Sequence, residues 1–154
     1  MAFLNYASAS VIASLGLVCG YFLAKIAKEE IKSGKVYLQI MKSLVFSSII
    51  FFLLYSLVNP TVAAILSALV LILTSSIKRL LNFNRIIYLL YSVLSYLANE
   101  KKLFALTASL IFIYGLPAGT LMEHDKKDLR ELVKVMLVFM VISIALYFLP
   151  FDFF

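Results

Sequence analysis

The stretch SLVFSSIIFFLLYSLVNPTVAAILSALVLILTSSI, residues 43–77, contains no charged residue. A single helix of about 35 residues would measure about 52 Å, whereas the hydrocarbon core of a bilayer is about 30 Å thick. Asn59-Pro60 divides the stretch, because Asn is a favourable helix cap and Pro fits the first position of a helix. The stretch therefore predicts a helix break at Asn59 and Pro60, between two membrane-spanning helices near residues 39–58 and 61–77.

Further charge-free runs cover residues 1–24, 86–99, 103–122 and 135–151. Apolar residues make up 64% of the chain and charged residues 14%, against about 45–50% and about 25% in typical globular proteins. Too little polar material remains to cover the surface of a soluble domain of this size. The sequence therefore predicts an all-α integral membrane protein, a single domain over residues 1–154 with six transmembrane helices, near 5–25, 39–58, 61–77, 80–98, 103–120 and 132–149.

The basic residues indicate how the predicted helices are oriented. The 14 Lys and Arg lie beside the apolar runs and give a net charge of +6; this distribution argues against a nucleic-acid partner. If the N-terminus is outside, all of them except Lys101 and Lys102 lie in inner loops, as is typical of membrane proteins. This bias predicts a multi-pass protein of the plasma membrane with both termini outside and with inner loops that contact anionic lipid headgroups. The abundance of Lys and Ile and the absence of Trp suggest a prokaryotic source.

The motifs GLVCG, residues 16–20, and GLPAG, residues 115–119, share the pattern Gly-Leu-x-x-Gly. Each lies late in a predicted helix that runs from outside to inside, and each precedes a charged stretch and another apolar run. This likeness predicts an internal repeat of the helix hairpins 1–2 and 5–6. Small residues four apart share one helix face and let a neighbouring backbone come close, which predicts helix packing at Gly16 and Gly20, Gly115 and Gly119, and Ala64 and Ala68.

In the second motif, Pro117 lacks a backbone N–H, and its ring disturbs the preceding turn of a helix. We therefore predict a helix break at Pro117, close to the inner interface. Two interpretations of this break stay open. It either serves ordinary helix packing and termination, or it forms a broken helix that lines a substrate path, as in transporters.

The polar segment EHDKKDLRELVK contains the only histidine of the chain, His124. If the segment is helical, His124 and Asp128 share a face, and Asp125 adds a carboxylate nearby. A zinc site usually takes three or four protein ligands, mainly His or Cys, so no metal site is predicted, although Mg²⁺ with a lipid phosphate stays open. The alternative is a solvated connector, in which Asp125 caps the next helix and Asp128 lies in its first turn.

Glu29 and Glu30 form the other acidic pair, but adjacent carboxylates on a helix point about 100° apart. The sequence shows no nucleophile motif and no phosphate-binding loop, and no ionisable residue lies halfway along any predicted span. These features favour a structural or accessory subunit of a membrane complex without a cofactor, with another membrane protein or further copies of itself as partner. Two alternatives stay open: a small homo-oligomeric transporter or channel for a neutral or apolar solute, and a lipid-headgroup enzyme at the cytoplasmic face that uses His124 and Asp125.

Overall fold

The computed structural model describes residues 3–76, 84–100, 103–124 and 129–148. Within these ranges the elements are all helices: α1 (Phe3–Ile26), α2 (Lys28–Tyr55), α3 (Pro60–Ser76), α4 (Asn84–Glu100), α5 (Phe104–His124) and α6 (Leu129–Phe148). The predicted all-helical class is therefore confirmed. Asp125, Asp128 and the start of the predicted span 80–98 lie outside the described residues.

Four helices in the described ranges are long and apolar enough to cross a membrane, namely α1, Ser33–Tyr55 of α2, Phe104–Glu123 of α5, and α6. α3 and α4 contain shorter apolar stretches, Pro60–Thr74 and Ile86–Asn99. These helices fit the predicted membrane location. The count of six spans and the position of both termini outside stay predictions.

The charged segment that follows α1 is helical rather than a loop. α2 begins at Lys28, well before the predicted span 39–58, and a single residue separates it from α1. The segment contains no proline, its Lys, Glu and Gln residues are good helix formers, and Glu29 and Glu30 in the first turn complement the positive end of the helix dipole. Lys42 consequently lies halfway along α2, so its assignment to an inner loop is wrong.

The chain turns between α2 and α3 at the Asn-Pro pair. α2 ends at Tyr55 and α3 begins at Pro60. The carbonyl of Asn59 accepts a hydrogen bond from the N–H of Ala63 at 3.0 Å. An N-cap residue followed by Pro at the first helical position has this arrangement, because the proline needs no backbone donor there.

Pro117 lies inside α5, which continues beyond it to His124. The predicted helix break at Pro117 is therefore wrong. The proline lacks the N–H that would bond the carbonyl of Ile113, but membrane helices tolerate such a missing bond when neighbouring groups compensate for it. The side chain of Pro117 is buried, so the packing around it holds the helix together through the proline.

α5 lies at the centre of the bundle, where it packs against α1, α2 and α4. α1 and α5 run parallel: Tyr6 stacks on Phe104 at one end, with 4.6 Å between ring centroids, and the Thr120 hydroxyl donates to the carbonyl of Gly20 at the other. We call the end at which α1 and α5 begin the upper end. α6 ends at the upper end, because Tyr147 near its last residue contacts Tyr6. α4 also ends at the upper end, because only a short connection separates it from the start of α5.

α3 packs mainly on α2, through small and polar side chains. Ala63 and Ser67 are buried, and the hydroxyl of Ser47 in α2 donates to the carbonyl of Ser67 at 2.7 Å. Ala64 and Ala68 are exposed instead. A step of one residue rotates the side chain by about 100° around the helix, so the predicted pair faces away from α2, and its packing within the chain was wrongly predicted.

Replacing Ser47 by Ala removes the hydrogen bond between α2 and α3. We expect the free energy of unfolding to fall by about 1 kcal/mol, since hydrogen bonds between membrane helices average about 0.6 kcal/mol and a net bond in proteins contributes about 0.5–1.5 kcal/mol. Ser48→Ala is the matched control, because Ser48 donates to the carbonyl of Leu44 in its own helix; it should change little. Unfolding in a denaturing detergent, followed by circular dichroism, measures both values. Equal losses in the two variants would contradict a role of Ser47 in holding α3.

Candidate functional site

The two Gly-Leu-x-x-Gly motifs pack directly on one another between α1 and α5. A methyl group added at Gly16 would collide with the carbonyl oxygen of Phe112, and one at Gly20 with the carbonyl oxygen of Leu116. The two backbones therefore touch along this face. Glycine is required there because any side chain would separate the helices.

The contact between the motifs is reciprocal. Gly20 of the first motif lies against Leu116 of the second, and Gly119 of the second lies against Leu17 of the first. A methyl group at Gly115 would come within 2.6 Å of the backbone nitrogen of Leu17. The last glycine of each motif thus meets the leucine of the other, whereas the first glycines make different contacts, Gly16 with Phe112 and Gly115 with Gly16 and Leu17.

Three tyrosines meet in the centre of the bundle, and we call them the tyrosine cluster: Tyr88 and Tyr91 of α4 and Tyr114 of α5. Their ring centroids are 4.9 Å apart for Tyr91 and Tyr114, 5.6 Å for Tyr88 and Tyr91, and 6.1 Å for Tyr88 and Tyr114, with the rings edge to face. Phe46 of α2 and Phe139 of α6 close the cluster. All three tyrosines are fully buried, and Tyr114 is the middle residue of α5, so the cluster lies at mid-depth.

Lys42 of α2 adjoins the tyrosine cluster. Its Nζ lies 5.6 Å from the ring centroid of Tyr114, within cation–π range, and only 2% of the residue is exposed. It is the one charged residue that is buried among the described residues. Sequence reasoning expected no ionisable residue halfway along a span, whereas Lys42 lies halfway along α2 because this helix begins earlier than the predicted span 39–58.

Seven buried polar atoms in the described part of the chain make no hydrogen bond of good geometry, although two of them, the hydroxyls of Tyr6 and Ser143, lie close enough to interact with one another. Three of them are the hydroxyl oxygens of the tyrosine cluster. The other four lie towards the upper end: the hydroxyls of Tyr6, Thr107 and Ser143 and the amide oxygen of Asn99. Ser92, by contrast, donates to carbonyls in both α4 and α6. We call the seven groups together the polar seam.

Two clefts open on the outside of the described bundle. One, of about 470 Å³, lies between the upper halves of α1 and α5 and is lined by alanines and apolar side chains. The other, of about 280 Å³, lies at the lower end, where Glu30, Gly34 and Tyr37 of α2 face Thr120 of α5. Neither cleft is lined by a residue of the tyrosine cluster.

Most of the histidine and carboxylate candidates fall at the edge of the described residues or outside them. His124 is the last residue of α5, and Asp125 and Asp128 lie outside the described residues. Glu29 and Glu30 are exposed in the first turn of α2. No group of three His, Cys, Asp or Glu that could hold a metal ion occurs among the described residues.

Lys42 and the tyrosine cluster were missed by sequence reasoning. A signal was present in α4, where Tyr88, Tyr91, Ser92 and Ser95 recur at helical spacing and mark one polar face in an otherwise apolar run. The structure buries this face. This polar face of α4 is therefore turned to the interior of the bundle.

The polar seam offers hydroxyls and an amide oxygen. Hydroxyls both donate and accept hydrogen bonds. The arrangement therefore suits the binding of a polar solute through hydrogen bonds. No protein-family model, curated protein or solved structure matches the chain.

Proposed function

We propose that the protein is a small membrane transporter or channel for small uncharged polar solutes, with its solute site at Lys42 and the tyrosine cluster. The observation that carries the proposal is the burial of Lys42 halfway along α2, beside three tyrosines whose hydroxyls have no partner. A charged side chain at the centre of a bilayer costs about 2.5–3.5 kcal/mol on insertion scales, and such residues usually mark a solute or ion path.

The solute class follows from the groups around the site. Hydroxyls and amides exchange hydrogen bonds with polyols and small amides, which have donors and acceptors of their own. A fixed positive charge at mid-depth raises the electrostatic barrier for cations. Because Lys42 is buried beside the site and the polar seam itself is uncharged, an uncharged solute fits better than a cation.

The glycine motifs support the proposal through an internal repeat. α2 packs on α5 and α6 packs on α1, as a twofold relation between the hairpins α1–α2 and α5–α6 requires. Several transporter folds consist of repeats related by an axis along the membrane normal, with solute sites near the midplane. If the N-terminus is outside, the upper end of the bundle faces the outside of the plasma membrane.

Solute-driven swelling of liposomes tests the proposal without a labelled substrate. Liposomes with and without the purified protein are mixed with iso-osmotic solutions of glycerol, urea, sodium chloride and potassium gluconate, and light scattering follows the swelling. We expect protein-dependent swelling with glycerol or urea and none with the salts. Protein-dependent entry of the salts alone would contradict the solute class, and the absence of entry for all four would contradict a channel-like function.

An accessory subunit is the second candidate, and the exposed surface of α3 favours it. Ile65, Leu69 and Ile72 on this helix are exposed together with Ala64 and Ala68, although α3 contacts mainly α2 within the chain. Extraction from the native membrane in a mild detergent distinguishes the candidates. A stoichiometric second membrane protein, combined with no swelling for the isolated chain, would favour the accessory subunit.

A further inference from the structure

We propose that a hydrated path for small uncharged, hydrogen-bonding solutes runs from the upper end of the bundle to the tyrosine cluster, and that the lower half of the bundle interior is closed and dry. This path belongs to the transport function proposed above and gives that function its side of access. The observation that supports the path is the position of the polar seam, whose seven groups lie at the tyrosine cluster or between it and the upper end.

All seven groups of the polar seam lie at mid-depth or above. Thr107 is close to the start of α5 and Tyr114 is at its middle; at a rise of about 1.5 Å per residue they are about 10 Å apart along the helix. Below the cluster, the buried side chains of α5 and α6 are apolar or bonded. Ala118, Met122 and Leu132 are buried there, and the Thr120 hydroxyl donates to backbone carbonyls.

The groups of the seam need partners from outside the protein. A buried hydroxyl or amide without a hydrogen bond costs about 1–3 kcal/mol in proteins, so seven such groups would cost more than many proteins have in total stability. A serine can bond a carbonyl of its own helix, as Ser10 does with the carbonyl of Tyr6. A tyrosine hydroxyl stands too far from its own backbone to do so, and Tyr88, Tyr91 and Tyr114 are therefore positions that water or a solute serves, whereas the Tyr6 hydroxyl has the Ser143 hydroxyl near it.

The arrangement of these groups, rather than their number, favours a path over isolated waters. Folded proteins hold on the order of one buried water per 27 residues, scattered wherever polar groups occur. Here the groups of the seam are contributed by α1, α4, α5 and α6 and lie in one half of the bundle. Isolated structural waters are expected in both halves of a bundle, whereas these groups lie in the upper half, between the upper end and Lys42.

Cysteine accessibility tests the path on the full chain. Cys19, the only cysteine and an exposed one, is replaced by Ala, and Thr107→Cys, Ser143→Cys and Ala118→Cys are made in this background. The purified variants in mild detergent are treated with the small uncharged reagent iodoacetamide, and intact mass follows the modification. Because a thiol reacts as thiolate, which forms in water, we expect the first two to react at least ~10-fold faster than Ala118→Cys.

Each result bears on the path separately from transport. If Thr107→Cys and Ser143→Cys react as slowly as Ala118→Cys, the seam is sealed and the path is refuted, even if glycerol still enters liposomes. If all three react equally fast, the closed lower half is refuted. If the path is wet but no solute enters liposomes, the inference stands and the transport function fails. Asn99→Cys replaces any upper variant that does not elute as a single species.

Discussion

Replacing Gly20 by Ala should separate α1 from α5 and lower the free energy of unfolding by at least ~3 kcal/mol. The added methyl group meets the carbonyl oxygen of Leu116, a backbone atom that cannot rotate away as a flexible side chain would. Overpacking a core, with the backbone shifts that it forces, typically costs about 1–3 kcal/mol and occasionally more; a clash with a backbone oxygen belongs at the upper end of this range. Separation of the helices would also lengthen the hydrogen bond from Thr120 to the carbonyl of Gly20, now 3.0 Å.

Gly34→Ala is the matched control for this variant. Gly34 lies in α2, and nothing comes within 4 Å of a methyl group at this position. Since Ala is better than Gly inside a helix by roughly 0.5–1 kcal/mol, this variant should be as stable as the parent or slightly more so. Unfolding in a denaturing detergent, read by circular dichroism, compares the two. If Gly20→Ala and Gly34→Ala unfold alike, the close contact of the two glycine motifs is not what holds α1 to α5.

Replacing Lys42 by Met should abolish solute entry into liposomes while the fold persists. Met has a similar length and fills the same space with an apolar side chain, so the change removes the charge and leaves the packing around Tyr114. Because a buried ammonium group is costly in a membrane, we expect the melting temperature of the variant to be unchanged or higher. Swelling with glycerol or urea should fall to the rate of protein-free liposomes.

Lys28→Met is the control for the loss of a positive charge. Lys28 is exposed at the start of α2, far from the tyrosine cluster, and its replacement should leave solute entry unchanged. A Lys42→Met variant that aggregates or melts earlier would indicate a structural role for Lys42. Full solute entry in a stable Lys42→Met variant would exclude this lysine from the solute site.

The helical class could be predicted from the sequence, because a long charge-free segment in a membrane has to form its backbone hydrogen bonds within a helix. The first residue of α2 could not be predicted in this way. A hydropathy argument places the start of a span where the charged residues end. A helix, however, continues through Lys, Glu and Gln, since these residues are good helix formers. The break at Pro117 was mispredicted for a related reason: the effect of a proline depends on the packing around it, which in α5 is dense.

The candidate site was the least predictable part. The spacing of Gly16 and Gly20 indicated a packing face, but the identity of the partner helix, about 100 residues later, is a tertiary property. Ala64 and Ala68 have the same spacing and are exposed, so spacing alone does not distinguish a face that packs from one that does not. Lys42 was assigned to a loop because its depth depends on where α2 begins.

The pairing of α1 with α5 also sets the order in which the protein is assembled. Thr120 and Gly20, joined by a hydrogen bond, are 100 residues apart in the chain. At about 5–20 residues per second of synthesis, α1 waits about 5–20 s before α5 exists. During this time the glycine face of α1 has no backbone against it, and a chain that ends before α5 never acquires one. Among the described helices, α1 is made before the others and is yet among the last to reach its native neighbours.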